Sequence, residues 1–275
     1  MPLTPVPELI TAARPGGLGA FNVITLEHAE AIATGAEAAD RPAVLQISEH
    51  TVKYHGSLAP LALACLRIAA DSTAPLTVHL DHATSFELIT AAAELGIPSV
   101  MYDGSTLDYA ANVAATKDIA TWCHARGIFL EAELGEVGGK DGAHAPGART
   151  DPAEAADFVA ATTVDALAVA VGSSHAMHTR TAELDNDLIT RLSAKVPVPL
   201  VLHGSSGVPD TGLRAAIDHG MTKINLATRL NIQATNAIRN TLTQDATLSD
   251  PRKYLTPART AIQSEVTHLL HLLAP

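Results

Sequence analysis

Three ionisable side chains crowd the four residues His79-Leu80-Asp81-His82, at the end of the strand-like stretch LTVHLDH (76–82). Two further histidines close stretches of the same kind: His175 in GSSHAMH and His203 in LVLHGSSG. Three neutral imidazoles brought to one point leave an open coordination position, which is the layout of a catalytic zinc rather than a closed structural one. Read singly, each is an ordinary core or loop histidine; their recurrence at three strand ends beside acids favours a shared cation. Asp81 and His82 are adjacent, so on a regular strand they face opposite sides, and both reach one site only if the strand end twists. Asp81 is then an acid/base candidate or a partner of a metal-bound histidine. His79 shares the parity of Asp81 and reads as an orienting neighbour. Asp103, and Glu133 in LEAELGE, are further acids that would hold a metal in an alternative position or orient water.

Glycine-rich turns supply a second kind of site. HGSSGVPD (203–210) and NLATRL (225–230) offer backbone N–H groups and the hydroxyls of Ser206 and Thr228, enough to bind a phosphate without a cationic side chain. The longest stretch without periodicity, 135–152, carries Gly138, Gly139 and Gly142 together with Lys140, Asp141, His144 and Arg149. Such loops in compact domains are usually lids or solvated insertions.

Elements must hold these groups in place, and the chain provides a regular series. Apolar runs occur at 17–24, 43–48, 76–82, 99–104, 128–134, 166–172, 199–204 and 222–228, each followed by a helical pattern such as SFELITAAAELG. Alternating strands and helices imply parallel pairing. Eight units without a linker predict a (β/α)8 TIM barrel forming one domain over 1–275, with an added C-terminal helical segment from Pro251; a doubly wound open sheet is the alternative. In a barrel the βα loops at the strands' C-terminal ends build the site, frequently with phosphate after strands 7 and 8. Every candidate above falls at that rim.

Bulk properties agree. Hydrophobic residues make up 47% and charged ones 17%, enough apolar mass for a large core. A net charge of −11 with no Lys/Arg run argues against nucleic acid and anionic membrane as partners. Two cysteines inside helical patterns, a start (MPLTPVPELI) unlike a signal peptide and no membrane-length apolar run predict a cytoplasmic protein.

AFN (20–22), HLDH (79–82), EAELG (131–135), GSSH ending at His175, LVLHGSSG (200–207) and KINLAT (223–228) occur in this order. Together they resemble the class II, zinc-dependent ketose-bisphosphate aldolases, a family that includes fructose- and tagatose-bisphosphate aldolases. The resemblance implies zinc on His82, His175 and His203, and Asp81 as the group handling the C4 hydroxyl proton. It places Asn22, Ser48, Ala176, Gly204, Ser206, Asn225, Ala227 and Thr228 around dihydroxyacetone phosphate. It further implies a monovalent cation (Na+ or K+) near that phosphate and a homodimer or homotetramer. The chain departs from the family pattern at four places. Ala176 replaces a usual Gly, and Ala227 an Asp of the fructose-type enzymes, as in the tagatose type. Asp141 stands for a loop Glu that serves as an acid, with His144 as competitor. Asn231 and Thr256 stand where arginines usually grip the far phosphate, leaving Arg149, Arg180 and Arg229 as substitutes, or an aldehyde without phosphate. A zinc hydrolase acting on a phosphorylated small molecule and a non-catalytic sugar-phosphate-binding barrel are the rival functions.

Overall fold

The structure is a computed structural model that describes residues 3–134, 149–175 and 177–275. Eight parallel strands close into a barrel in sequence order: β1 (Leu18–Asn22), β2 (Ala43–Ser48), β3 (Leu76–Ala83), β4 (Ser99–Tyr102), β5 (Phe129–Leu134), β6 (Ala166–Val169), β7 (Leu200–Leu202) and β8 (Met221–Leu226). The open-sheet alternative is thereby excluded. The first helices are α1 (Val6–Ala13), α2 (Leu26–Ala39), α3 (Glu49–His55), α4 (Ala59–Asp71), α5 (Phe86–Glu94) and α6 (Tyr109–His124). Then come α7 (Pro152–Thr162), α8 (Asn186–Lys195), α9 (Asp210–Asp218), α10 (Thr228–Gln244) and α11 (Pro251–Leu273). No described helix is long and apolar enough to cross a membrane.

The strands alternate with period two, and the alternation sorts chemistry. Phe21, Leu45, Val78, Leu80, Leu130, Ala132, Leu202, Ile224 and Leu226 join the large core between the sheet and the surrounding helices. Residues of the other parity face the barrel axis. At the N-terminal end they are apolar: Leu18, Ala20 and Val44 pack under Val6, Leu9, Ile10 and Ala13 of α1, which plugs that mouth. Further along the axis the same parity carries Gln46, His79, Glu131 and Lys223, and at the opposite rim Asn22, Asp81, Glu133, His203 and Asn225, all but Asn22 buried. The barrel is therefore dry at one end and polar at the other, and the polar end holds the site.

Strands β6 and β7 are shorter than their apolar runs because the chain turns away at Ala170 and His203 to enter the site loops. The C-terminal segment forms one helix, α11, that lies against α2 and α10 as part of the outer layer. The approach to α2 is close: a Cβ on Gly35 would fall 2.8 Å from Val266 Cβ and 3.0 Å from the Gln263 carbonyl oxygen. A glycine is needed here for space rather than for backbone freedom. Gly35→Leu is expected to destabilise by about 1–3 kcal/mol through overpacking, lowering the thermal midpoint by about 2–4 °C per kcal/mol. An unchanged midpoint by calorimetry would contradict the tight seating of α11.

Candidate active site at the barrel rim

His82 arrives at the site through a local irregularity. Its φ is +53°, left-handed backbone that non-glycine residues seldom adopt, and the β3–β4 register shifts between Leu80 and Ala83. That break turns His82 to the rim beside Asp81, which keeps the inward parity of the strand. His175 comes from the loop after β6 and His203 from the end of β7. The rings converge, with centroids 5.3 Å apart for His82 and His175, 4.7 Å for His82 and His203 and 5.8 Å for His175 and His203. Donor atoms of the three lie within 4.8 Å of one another, as do those of the overlapping set His82, Asp103 and Glu133.

Carboxylates surround the imidazoles. His82 Nδ1 donates to Asp103 Oδ2 at 2.8 Å, and Ser105 Oγ donates to the other oxygen of Asp103. His203 Nε2 donates to Glu131 Oε1 at 3.0 Å, and Lys223 Nζ donates to Glu131 Oε2 at 2.8 Å. His203 Nδ1 is buried without a hydrogen bond, although Glu133 Oε2 lies 3.2 Å from it out of alignment. The same oxygen is 3.9 Å from His82 Nδ1. Asp81, Asp103, Glu131 and Glu133 are all buried against one buried ammonium, that of Lys223. Four acids facing one base in a low-dielectric mouth, with converging imidazole nitrogens and an orphaned Nδ1, suit a bound divalent cation.

The ionisation states follow from the same crowding. Burial disfavours the charged form of Asp81, yet His82, His203 and Lys223 overcome it and hold the carboxyl at about 2. Burial works likewise against Glu131, which Lys223 and His203 keep well below the usual carboxylate range. His203 is pulled to about 9: burial opposes its charge, but the neighbouring carboxylates of Glu131 and Glu133 outweigh it when no cation competes. His79 is pushed to about 3, first by burial and then by Lys223, so it is neutral.

The polar groups named for substrate gather around this cluster. Asn22 Nδ2 donates to Asp81 Oδ2 at 3.4 Å, and Gln46 Nε2 donates to Asn22 Oδ1 at 3.1 Å. Ser48 stands opposite Asp81 in the β2–β3 register, and its hydroxyl accepts from Thr51 N at the start of α3. Among the described residues, Asp81 Oδ1 and both polar side-chain atoms of Asn225 are buried without a hydrogen-bond partner. Gly204 (φ +66°) begins the turn after β7, where a Cβ would meet the Ser174 backbone at 2.7 Å. Only glycine lets this turn press against the loop that carries His175. Ser206 Oγ accepts from the backbone N–H of Ala227 and of Arg229 at 3.2 and 3.3 Å, tying that turn to the start of α10, whose first residue is Thr228. Ala176, and Asp141 with Lys140 and His144 of the expected lid, lie outside the described residues.

Two features lie beyond the sequence reading. The buried Glu131–Lys223 pair was hidden inside strand runs, its only trace being charges at inward parity in IFLEAEL and TKINLAT. Arg229, offered as a phosphate ligand, is instead buried outside the mouth, bound to Asp210 and Glu265, each at 2.7 Å. Its place at the second position of α10 turns its side chain toward α9 and α11. Arg180 lies 3.4 Å from the same Asp210, and Arg149 3.9 Å from Asp185.

Comparison with known proteins decides the kinship. The sequence model described as "Fructose-bisphosphate aldolase class-II" matches residues 6–274. The chain belongs to the class II fructose-bisphosphate aldolase family. A relative named fructose-bisphosphate aldolase, from Staphylococcus aureus strain Mu50, is 36% identical over 97% of this chain and 95% of its own. Among solved structures, the YdjI aldolase of Escherichia coli K12 superposes with a TM-score of 0.87 at 30% identity, covering 98% of this chain and 97% of that one. A putative fructose-1,6-bisphosphate aldolase of Coccidioides immitis matches with the same TM-score, 0.87, at 29% identity, over 98% and 95%. The protein is thus an aldolase-type lyase, and the family is generally zinc-dependent.

Chelation is expected to abolish turnover and zinc or cobalt to restore it. His203→Ala should strip most of the bound metal, because a three-imidazole site loses a third of its donors. Full metal content by elemental analysis together with full activity in that variant would contradict the three-histidine site.

Proposed function

We propose that the protein is a zinc-dependent aldolase. It reversibly cleaves a ketose 1,6-bisphosphate of the tagatose or fructose type, or a related ketose phosphate. The products are dihydroxyacetone phosphate and an aldehyde such as glyceraldehyde 3-phosphate. The observation that carries this reading is the convergence of His82, His175 and His203 beside a buried, ionised Asp81. Zinc held by the three imidazoles would supply a Lewis acid for the negative charge left on the dihydroxyacetone fragment.

The remaining steps fall to the chain's own groups. Asp81, charged at neutral pH and with Oδ1 unpartnered among the described residues, takes the proton from the C4 hydroxyl. The C4 oxygen becomes the aldehyde carbonyl, the C3–C4 bond breaks, and its electron pair stays with C3. Asn22 steadies Asp81 through Oδ2. Protonation of C3 is assigned to Asp141, with His144 as the competing acid. Asn225 and the Gly204–Ser206 turn, joined to Thr228 at the head of α10, receive the dihydroxyacetone phosphate end through N–H and hydroxyl groups, and a Na+ or K+ ion near the phosphate would offset its charge. Ser48 and Ala227 complete the lining, and the family resemblance gives Ala176 the same part. A homodimer or homotetramer acting in the cytoplasm suits the family likeness and the two free, buried cysteines.

Asp81→Ala is expected to keep its zinc and its dihydroxyacetone phosphate binding while cleavage falls by roughly 10²–10⁴-fold, the usual worth of a positioned base. Loss of zinc from a folded Asp81→Ala protein would instead make Asp81 a ligand or its support.

Substrate choice turns on the far end of the sugar. Ala227 offers no side chain to hydrogen-bond it, and Arg229 is committed to Asp210 and Glu265. Tagatose 1,6-bisphosphate or a singly phosphorylated ketose is therefore expected to be turned over at least as well as fructose 1,6-bisphosphate. The check is kcat/KM on purified protein with a panel of ketoses, and product analysis from dihydroxyacetone phosphate with a panel of aldehydes. A hundredfold preference for the fructose sugar, about 2.7 kcal/mol in transition-state binding, would refute this choice, and rapid metal-dependent phosphoester hydrolysis would refute the aldolase reading itself.

A further inference from the structure

Beneath the three imidazoles, on the barrel axis, lies a charged pair for which neither substrate binding nor bond cleavage has any use. Lys223 is 2% exposed and Glu131 fully buried; their side chains reach across the barrel from β8 and β5 and meet at 2.8 Å. Such a pair is costly to place in a barrel interior, where bulky apolar residues ordinarily fill the layers. Lys223 uses only one of the two Glu131 oxygens. The other, Oε1, takes the Nε2–H of His203. That contact commits one nitrogen of His203 to the barrel interior and leaves Nδ1, buried and without a hydrogen bond, as the nitrogen facing Glu133 and the other two rings.

We propose that Glu131 and Lys223 are positioning residues for the metal: Lys223 anchors the Glu131 carboxylate, and Glu131 fixes the His203 ring so that Nδ1 is the donor presented to the cation. This rests on the reading of the three imidazoles as a zinc site. Neither residue touches substrate or metal; both act through His203. The arrangement explains why β5 carries two inward glutamates. Glu131 faces the far nitrogen of His203, while Glu133, two residues nearer the rim, faces the near one. It also explains why a lysine, otherwise foreign to that layer, stands opposite Glu131: its ammonium at 2.8 Å offsets the cost of burying the carboxylate and holds it in place beside the ring.

The test separates orientation from mere structural support. Glu131→Leu alone would leave Lys223 buried and unpaired, and is open to misfolding. The informative variants are therefore two doubles, Glu131→Leu with Lys223→Met and Glu131→Gln with Lys223→Met. Both remove the ion pair, but only the second retains an oxygen to accept from His203 Nε2. Each is stripped of metal, checked for its thermal midpoint, and titrated with zinc against a chromophoric chelator; the absorption spectrum of the cobalt-loaded form is recorded alongside. Expected is a folded Leu/Met double with zinc affinity 10–100-fold weaker, the usual cost of losing a partner behind a metal-bound histidine, and an altered cobalt spectrum. The Gln/Met double should regain most of the affinity and the original spectrum. Two doubles that bind zinc as tightly as the unsubstituted protein would overturn the proposal. So would two doubles equally weakened, since loss of the charged pair rather than of the hydrogen bond would then be responsible. Failure of the unsubstituted protein to bind zinc would overturn the metal reading itself, and this inference with it.

Discussion

Negative charge confined in a low-dielectric mouth is the constraint on which the rest of the structure depends. Among the described residues, Asp81, Asp103, Glu131 and Glu133 are buried at the polar end of the barrel with one lysine, Lys223, among them. Isolated buried carboxylates are too costly to persist ionised. Here donors hold three of them, Asn22 for Asp81, His82 and Ser105 for Asp103, His203 and Lys223 for Glu131, and Glu133 lies 3.2 Å from His203 Nδ1. The imidazoles that serve as donors to the acids also have nitrogens that could hold a cation, so the arrangement that lowers the cost of the acids is also the one on which the proposed metal site rests. An enzyme that must stabilise charge developing on its substrate benefits from such a preset field, because the groups do not have to reorganise during the reaction.

The barrel supplies the rigidity this field requires. Its N-terminal mouth is sealed by α1 over Leu18, Ala20 and Val44, so the polar layers rest on a packed apolar floor. Most of the site residues stand on or just past the ends of seven strands, where the closed parallel register sets their positions, while His175 is supplied by the loop after β6. At β3 regularity is broken where two groups must share the rim. The left-handed backbone at His82 and the register shift beside it bring adjacent side chains to one site, at a local conformational cost that the surrounding sheet sustains.

A second charge cluster braces the turn after β7 from outside the mouth. Arg229 is gripped by Asp210 of α9 and Glu265 of α11, while its backbone N–H is bound by Ser206. The turn after β7 is thus tied to three helices behind it, and Gly204 lets it lie against the loop of His175. The C-terminal helix, remote in sequence from the site, thereby takes part in holding that turn.

Much of this was legible in the sequence because it is encoded locally. Period-two and helical patterns are set by near neighbours, so eight strand–helix units and the appended helix could be read directly, and with them the rim positions of His82, His175, His203, Asp81 and Asn225. What only the tertiary structure decided are pairings between distant residues. Glu131 and Lys223 are 92 positions apart, and His203 and Glu131 72 apart; each looks like an isolated charge in a strand until the barrel closes. Arg229 looked available for substrate until the helix packing turned it toward Asp210 and Glu265. The joint arrival of Asp81 and His82 contradicts strand parity, and only the backbone break at His82 permits it. Local periodicity dictates which face a side chain takes; which partner it meets there depends on register, closure and helix packing, which no short stretch of the chain contains.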